Sequence, residues 1–216
     1  MSTRANGSVI RVEHEGVRGL DGFLRLERVV LMDCEFTCWE DSLRTNWADP
    51  SRPPELIEIG LVEYDLPSDR AGQVFTSLVR PCLNSELSAY CKSVVGIKQE
   101  EVDQAPALGE VLQRVEAWLS SLELSGAPIC EWGAGDRLRI AREAERYGCS
   151  SPFDGAPQVD LGGLYRSAFG NDVFGKGDRD SVRALCGLAE NRNRHRALDD
   201  ALDLAQFCAH LRKAAL

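Results

Sequence analysis

Apolar positions along this chain change their period from place to place, and the changes mark out elements. Residues 29–32, Val29-Val30-Leu31-Met32, form an unbroken apolar run that leads into Asp33-Cys34-Glu35-Phe36-Thr37-Cys38-Trp39-Glu40. A short apolar run bounded by polar residues predicts a strand buried on both faces. Residues 56–64 and 73–81 read as second and third strands, the latter ended by Pro81, with a hairpin turn over 66–72 between them. Asp49-Pro50 and Pro53-Pro54 mark 41–54 as loop. Short connections between these three strands predict an antiparallel meander.

Further on the period lengthens. A short helix is expected over 85–94 with Ser85 as its cap, and a turn over 98–104. A clear helix over 106–122 has Leu108, Val111, Leu112, Val115, Trp118 and Leu119 on one face. A fourth strand over 127–132, a helix over 136–147, a short strand over 158–161 and a helix over 162–169 follow. Residues 171–180 are polar and glycine-bearing and read as a mobile loop, before helices over 181–188 and 198–214. This order predicts an α/β fold: a mixed five-stranded sheet, three antiparallel strands then parallel ones, flanked by helices. Residues 1–25, with Gly7, Gly16, Gly19 and Gly22 among mixed charges, read as a loosely ordered lead-in, and 26–216 as one domain.

Composition narrows the partners. The chain has 216 residues, 44% hydrophobic and 27% charged, as expected of an ordinary soluble globule. Its net charge of −9 argues against sequence-independent coating of nucleic acid. It does not exclude a nucleic-acid enzyme, because acids that hold metals count as negative in a formal sum. No apolar run is long enough to span a bilayer and no signal peptide is visible, so no membrane partner and a cytoplasmic location are expected. None of the eight cysteines forms a C-x-x-C pair, which argues against zinc and for reduced thiols.

The candidate chemistry lies in acids. Asp33 and Glu35, two apart on a strand, point the same way. Adjacent carboxylates repel unless a cation sits between them, and magnesium prefers such hard oxygen ligands. A strand end running into solvent is the commoner explanation of such a pair taken alone, so the pair needs partners further along the chain. Beyond the fourth strand, Gly133 and Gly135 permit a tight turn before Asp136. Asp136 is placed either as a helix N-cap or as a site residue, since open α/β sheets bind ligands at strand carboxyl ends. The third cluster is Asn191-Arg192-Asn193-Arg194-His195-Arg196-Ala197-Leu198-Asp199-Asp200. The other histidines are His14, in the lead-in, and His210, late in a helix. Arginines beside carboxylates suit phosphate and metal together.

Taken together, Asp33, Glu35, Asp136, His195 and Asp200 stand in the order D-x-E, D, H-x-x-x-x-D. The chain thereby resembles the DEDDh, or DnaQ-like, 3′–5′ exonucleases on the ribonuclease H-like fold. Within these it is most similar to the histone-mRNA and small-interfering-RNA exonucleases and their bacterial relatives. Val79-Arg80-Pro81, Leu87-Ser88, Gly96-Ile97, Val102-Asp103-Gln104-Ala105 and Trp132-Gly133 carry this, with the stretches at 33–39 and 195–201. The H-x-x-x-x-D spacing favours Asp200 over Asp199. Two positions depart from the pattern: Ala134-Gly135 is plainer than the usual polar or aromatic filling, and Asn191 stands where glycine is expected.

The resemblance implies two magnesium ions, replaceable by manganese, clamping the terminal phosphodiester. Asp33, Glu35 and Asp200 would hold one ion, Glu35 would reach both, and Asp136 would act mainly through waters. His195 would be the general base, since imidazole is a ready proton acceptor near neutrality. Phe36 would pack on the last sugar or base, and backbone at Phe36 and Thr37 would reach the 3′ hydroxyl. The expected partner is a single-stranded 3′ end, RNA rather than DNA, releasing nucleoside 5′-monophosphates. Arg192, Arg194 and Arg196 would add positive charge. The rivals are a binding or regulatory module without turnover, and a proofreading exonuclease acting on DNA. The intact set of five residues argues against the first. The few residues after Asp200, with little room for a polymerase-binding tail, argue against the second.

Overall fold

Nine residues, Arg28–Phe36, form β1, and their alternation decides what each layer receives. Val30, Met32 and Cys34 face one core, while Val29 and Leu31 face the other. Asp33 and Glu35 share the parity of Val29 and Leu31, so they lie on the second face. The computed structural model describes residues 17, 19–133, 135–170, 178–191 and 193–214. His14, Ala134, Arg192 and residues 171–177 of the expected loop lie outside them.

β2 (Leu56–Asp65) and β3 (Arg70–Leu78) join β1 in an antiparallel meander, and β4 (Ile129–Glu131) and β5 (Gln158–Asp160) extend it in parallel. The sheet order is β3-β2-β1-β4-β5, the mixed five-stranded arrangement expected from the pattern. Helices α1 (Gly19–Leu24), α2 (Ser42–Thr45), α3 (Ala89–Val95), α4 (Gln99–Asp103), α5 (Leu108–Ser121), α6 (Asp136–Arg146), α7 (Leu161–Phe169), α8 (Arg179–Cys186) and α9 (Ala197–Ala214) surround it. α5 and α6 close the face of Val30 and Met32 through Val111, Leu112, Val115 and Ile140. α7, α8 and α9 close the face of the two acids through Leu164, Val182, Leu204 and Phe207.

Several boundaries differ from the sequence reading. The end of the expected lead-in, Gly19–Leu24, is helical, and Phe23 is wholly buried in the second core. β3 begins three residues early because the turn closes over residues 66–69, leaving Arg70 and Ala71 to pair with Asp65 and Tyr64. The strand's exposed surface hides that extension from any apolar period. The helix expected from Ser85 starts at Ala89. Its cap is Ser88, whose Oγ accepts from Cys91 N at 2.9 Å and donates to Cys38 O at 2.6 Å.

One close approach positions the site. Gly60 on β2 lies opposite Asp33 in the ladder, and a Cβ there would sit 2.3 Å from the Ala197 carbonyl carbon. Only glycine lets the start of α9 settle this close to the sheet. Arg196 and Glu58 lock the same junction: Glu58 is buried and takes the Arg196 guanidinium at 2.7 Å and the Ala197 N–H at 3.0 Å.

Candidate active site

Asp33, Glu35, Asp136, His195 and Asp200 line one cleft of about 230 Å³ at the carboxyl end of β1. β1 delivers the first two on the α9 side of the sheet. The turn into α9 delivers the imidazole and the fourth acid. His195 has a positive φ of 62°, a conformation rare outside glycine, and its N–H donates to Asp200 Oδ2 at 2.8 Å. Asn191, at the position where glycine was expected, donates its amide to Asp200 Oδ1 at 2.9 Å. Asp200 is thereby held from both sides. Asp199 does not line the cleft.

Asp136 arrives differently. It is the first residue of α6 rather than its cap; the cap residue, Gly135, offers no side chain. Buried Glu131 at the end of β4 does the capping, accepting from Asp136 N at 3.0 Å and Arg137 N at 3.3 Å. The plain Gly135 also has a use. A Cβ there would meet Arg139 Nη1 at 2.3 Å, so glycine makes room for a guanidinium beside Asp136.

Burial, then the charges of Asp33 and Asp200, push the Glu35 carboxyl up to about 9. Burial and then Glu131 push Asp136 up to about 7, and burial raises Asp33 well above the carboxylate range. Arg139 opposes the rise at Asp136, and Arg179 of α8 opposes it at both Asp33 and Asp136, donating to Asp33 Oδ1 at 2.8 Å and to Asp200 Oδ1 at 3.4 Å. Arg179 was not singled out in the sequence. It belongs to a stretch read as loop, and no local pattern signals that it reaches β1.

Other expectations fare unevenly. Phe36 and Thr37 are buried and neither lines the cleft. The Thr37 hydroxyl accepts from Glu55 N at 3.0 Å, and its N–H donates to Glu55 O at 2.8 Å. Arg194 lines the cleft and pairs with Asp180 at 2.7 Å. Arg196 is spent on Glu58, so its charge serves the fold rather than a phosphate.

The chain was compared with known proteins. The family model RNase_T, described as Exonuclease, matches residues 30–207. The chain belongs to the exonuclease family. The Drosophila melanogaster "3'-5' exonuclease Snipper" is 27% identical over 205 residues, covering 87% of this chain and 70% of that protein. The Rattus norvegicus "3'-5' exoribonuclease 1" is 35% identical over 195 residues, covering 85% of this chain and 52% of that one. This exonuclease therefore spans about half the length of the rat relative. The solved nuclease domain of 3'hExo, a DEDDh family member bound to rAMP, superposes with a TM-score of 0.76 at 21% identity. That superposition covers 88% of this chain and 94% of the other, and establishes the ribonuclease H-like fold.

A DEDDh exonuclease domain implies dependence on a divalent cation, and the side chains present fit one. One ligand atom each from Glu35, His195 and Asp200 lie within 4.8 Å of one another. Asp33 and Asp136 face the same space, and the four acids offer the hard oxygen donors that a divalent cation prefers.

Proposed function

We propose that this exonuclease removes nucleotides one at a time from the 3′ end of single-stranded RNA, releasing nucleoside 5′-monophosphates, with two magnesium ions at Asp33, Glu35, Asp136 and Asp200. The observation that carries this reading is the convergence of four carboxylates and one imidazole in a single cleft. Bound cations supply Lewis-acid polarisation of the scissile phosphate and a counter-charge for the leaving 3′ oxygen.

The chain's own residues do the rest. Asp33, Glu35 and Asp200 offer hard oxygen donors from two elements that β2 and Gly60 hold together. Asp136 offers a further donor, fixed by Glu131 through the first turn of α6. His195, its backbone tied to Asp200, takes the proton from the attacking water at an imidazole nitrogen. Arg194 and Arg179 bring positive charge to the rim and floor where a phosphate must enter. RNA is favoured over DNA by the exoribonuclease name of the rat relative and by the ribonucleotide in the solved neighbour. The cytoplasm is the proposed compartment, in keeping with eight cysteines that are all free. Among the described residues no helix is long and apolar enough to cross a membrane.

The test is direct. Purified protein with magnesium or manganese shortens a 5′-labelled single-stranded RNA with a free 3′ hydroxyl, faster than DNA of the same sequence, and releases 5′-monophosphates. Chelation stops it, and manganese restores it. Failure to shorten either polymer with any divalent cation favours the binding-module reading.

A further inference from the structure

A second cleft, of about 300 Å³, opens beside the first. Trp47 and Pro53 form part of one wall, and Arg139, Arg142 and Arg146 of α6 form the other. The three arginines fall three and four residues apart, so they share one helix face. Arg142 and Arg146 are exposed. Such a row of like charges stands out in a chain of net charge −9; Asp136 faces Arg139 and buried Glu143 lies near Arg146, while the exposed guanidiniums of Arg142 and Arg146 still repel each other at this spacing. The one acid in the lining, Asp49, is engaged by Arg52 at 2.7 Å and by Ser51.

Arg139 joins this cleft to the catalytic one. Its guanidinium lies 3.6 Å from Asp136, 4.7 Å from the Trp47 ring centre and 5.6 Å from that of Phe36, and it donates to Asn46 Oδ1 at 3.2 Å. Trp47 is fixed by its indole N–H, which donates to Thr37 O at 2.9 Å. The cleft therefore offers a guanidinium stacked on an indole, next to Asp136, with the two exposed arginines Arg142 and Arg146 further along the same helix face. We propose that this cleft is the path of the RNA strand upstream of the scissile bond, with one base against Trp47 and Arg139 and successive phosphates against Arg142 and Arg146. The assignment rests on the exonuclease reading for the direction of the strand. Its chemistry, stacking planes interleaved with cations, is that of single-stranded nucleic acid rather than of an acidic peptide.

Binding tests it without turnover. In a His195→Ala background with magnesium, anisotropy of a 5′-fluorescein-labelled octaribonucleotide is followed through a sodium chloride series. Arg142→Ala/Arg146→Ala lowers the slope of log K against log salt by about 1.4, roughly 0.7 for each phosphate no longer neutralised. Arg142→Lys/Arg146→Lys keeps the slope. Trp47→Ala weakens binding about tenfold with the slope unchanged. Arg70→Ala/Arg114→Ala, at the other end of the sheet, removes equal charge and changes nothing. An unchanged slope in the Arg142/Arg146 double variant overturns the assignment, as do absence of RNA binding by the parent and displacement of RNA by polyglutamate as readily as by RNA. Shortening of RNA by the unsubstituted protein is scored in parallel. Turnover with an unchanged slope refutes the path alone; a lowered slope with no turnover refutes the exonuclease reading and leaves the cleft as a nucleic-acid site.

Discussion

Glu35 and Glu55 are the same residue type, both withdrawn from solvent, and they meet opposite fates. Glu55, completely buried, accepts from the N–H groups of Cys82, Leu83 and Asn84, the Asn84 amide and the Tyr147 hydroxyl. Burial alone would raise its carboxyl; the Tyr147 hydroxyl and the three N–H groups outweigh that and hold it below the ordinary value. Among the described residues Glu35 has no such donors: burial first, and then the charges of Asp33, Asp200, Glu58 and Asp136, drive it up to about 9. A carboxylate supplied with donors is a structural pin. A buried carboxylate set among other carboxylates is one that a bound cation would stabilise.

Either side of this contrast can be attacked. The greatest change is expected at the catalytic end: His195→Ala lowers the rate of RNA shortening about 10²- to 10⁴-fold while leaving the melting temperature near that of the parent. Glu55→Ala does the reverse. It strands several buried donors, and chemical denaturation should show a loss of about 3–5 kcal/mol. Activity then falls only in proportion to the unfolded fraction.

The two glutamates also part in their response to pH. In the metal-free protein the carboxyl groups of Asp136, Glu143 and Glu35 are raised to about 7, 8 and 9 from ordinary values near 4. Folding therefore favours their protonated forms, and this contribution to stability is full below about pH 4 and is lost as pH rises through 7 to 9. Thermal melts in chelator should fall over that window. Magnesium should remove the part due to Glu35 and Asp136, and Glu143→Gln the part due to the buried acid beside Leu56.

Gly60→Ala tests the junction between the acids of β1 and those of α9. With a methyl group 2.3 Å from the Ala197 carbonyl carbon, the helix must move, at a cost of about 1–3 kcal/mol by denaturation and with a clear drop in rate. The least change is expected at the rim, where Arg194 and Asp180 are both half-exposed. Arg194→Ala should change stability by less than about 1 kcal/mol.

The sheet was legible because β1 and β2 are buried on both faces, and runs such as Val29–Met32 betray that in any sequence. The acids were legible through their joint order, D-x-E, D and H-x-x-x-x-D, and the family resemblance it carries, since each spacing alone is a weak signal. What escaped was made by contact at a distance. Arg179 reaches Asp33 across 146 positions, and no local period encodes that. Glu131 looked like the polar end of a strand, yet it caps the helix that presents Asp136. Thr37, expected to offer its backbone to the 3′ hydroxyl, has its N–H donating to Glu55 O at 2.8 Å.

The junction at Gly60 has a consequence for synthesis. Asp33 and Glu35 leave the ribosome early, but their partners lie on a helix more than 160 residues later and seat only when that helix docks in the notch on β2. A nascent chain that has not yet emitted residues 195–200 lacks the imidazole and one of the acids of the cleft. Until that segment is in place, the cleft lacks part of its lining.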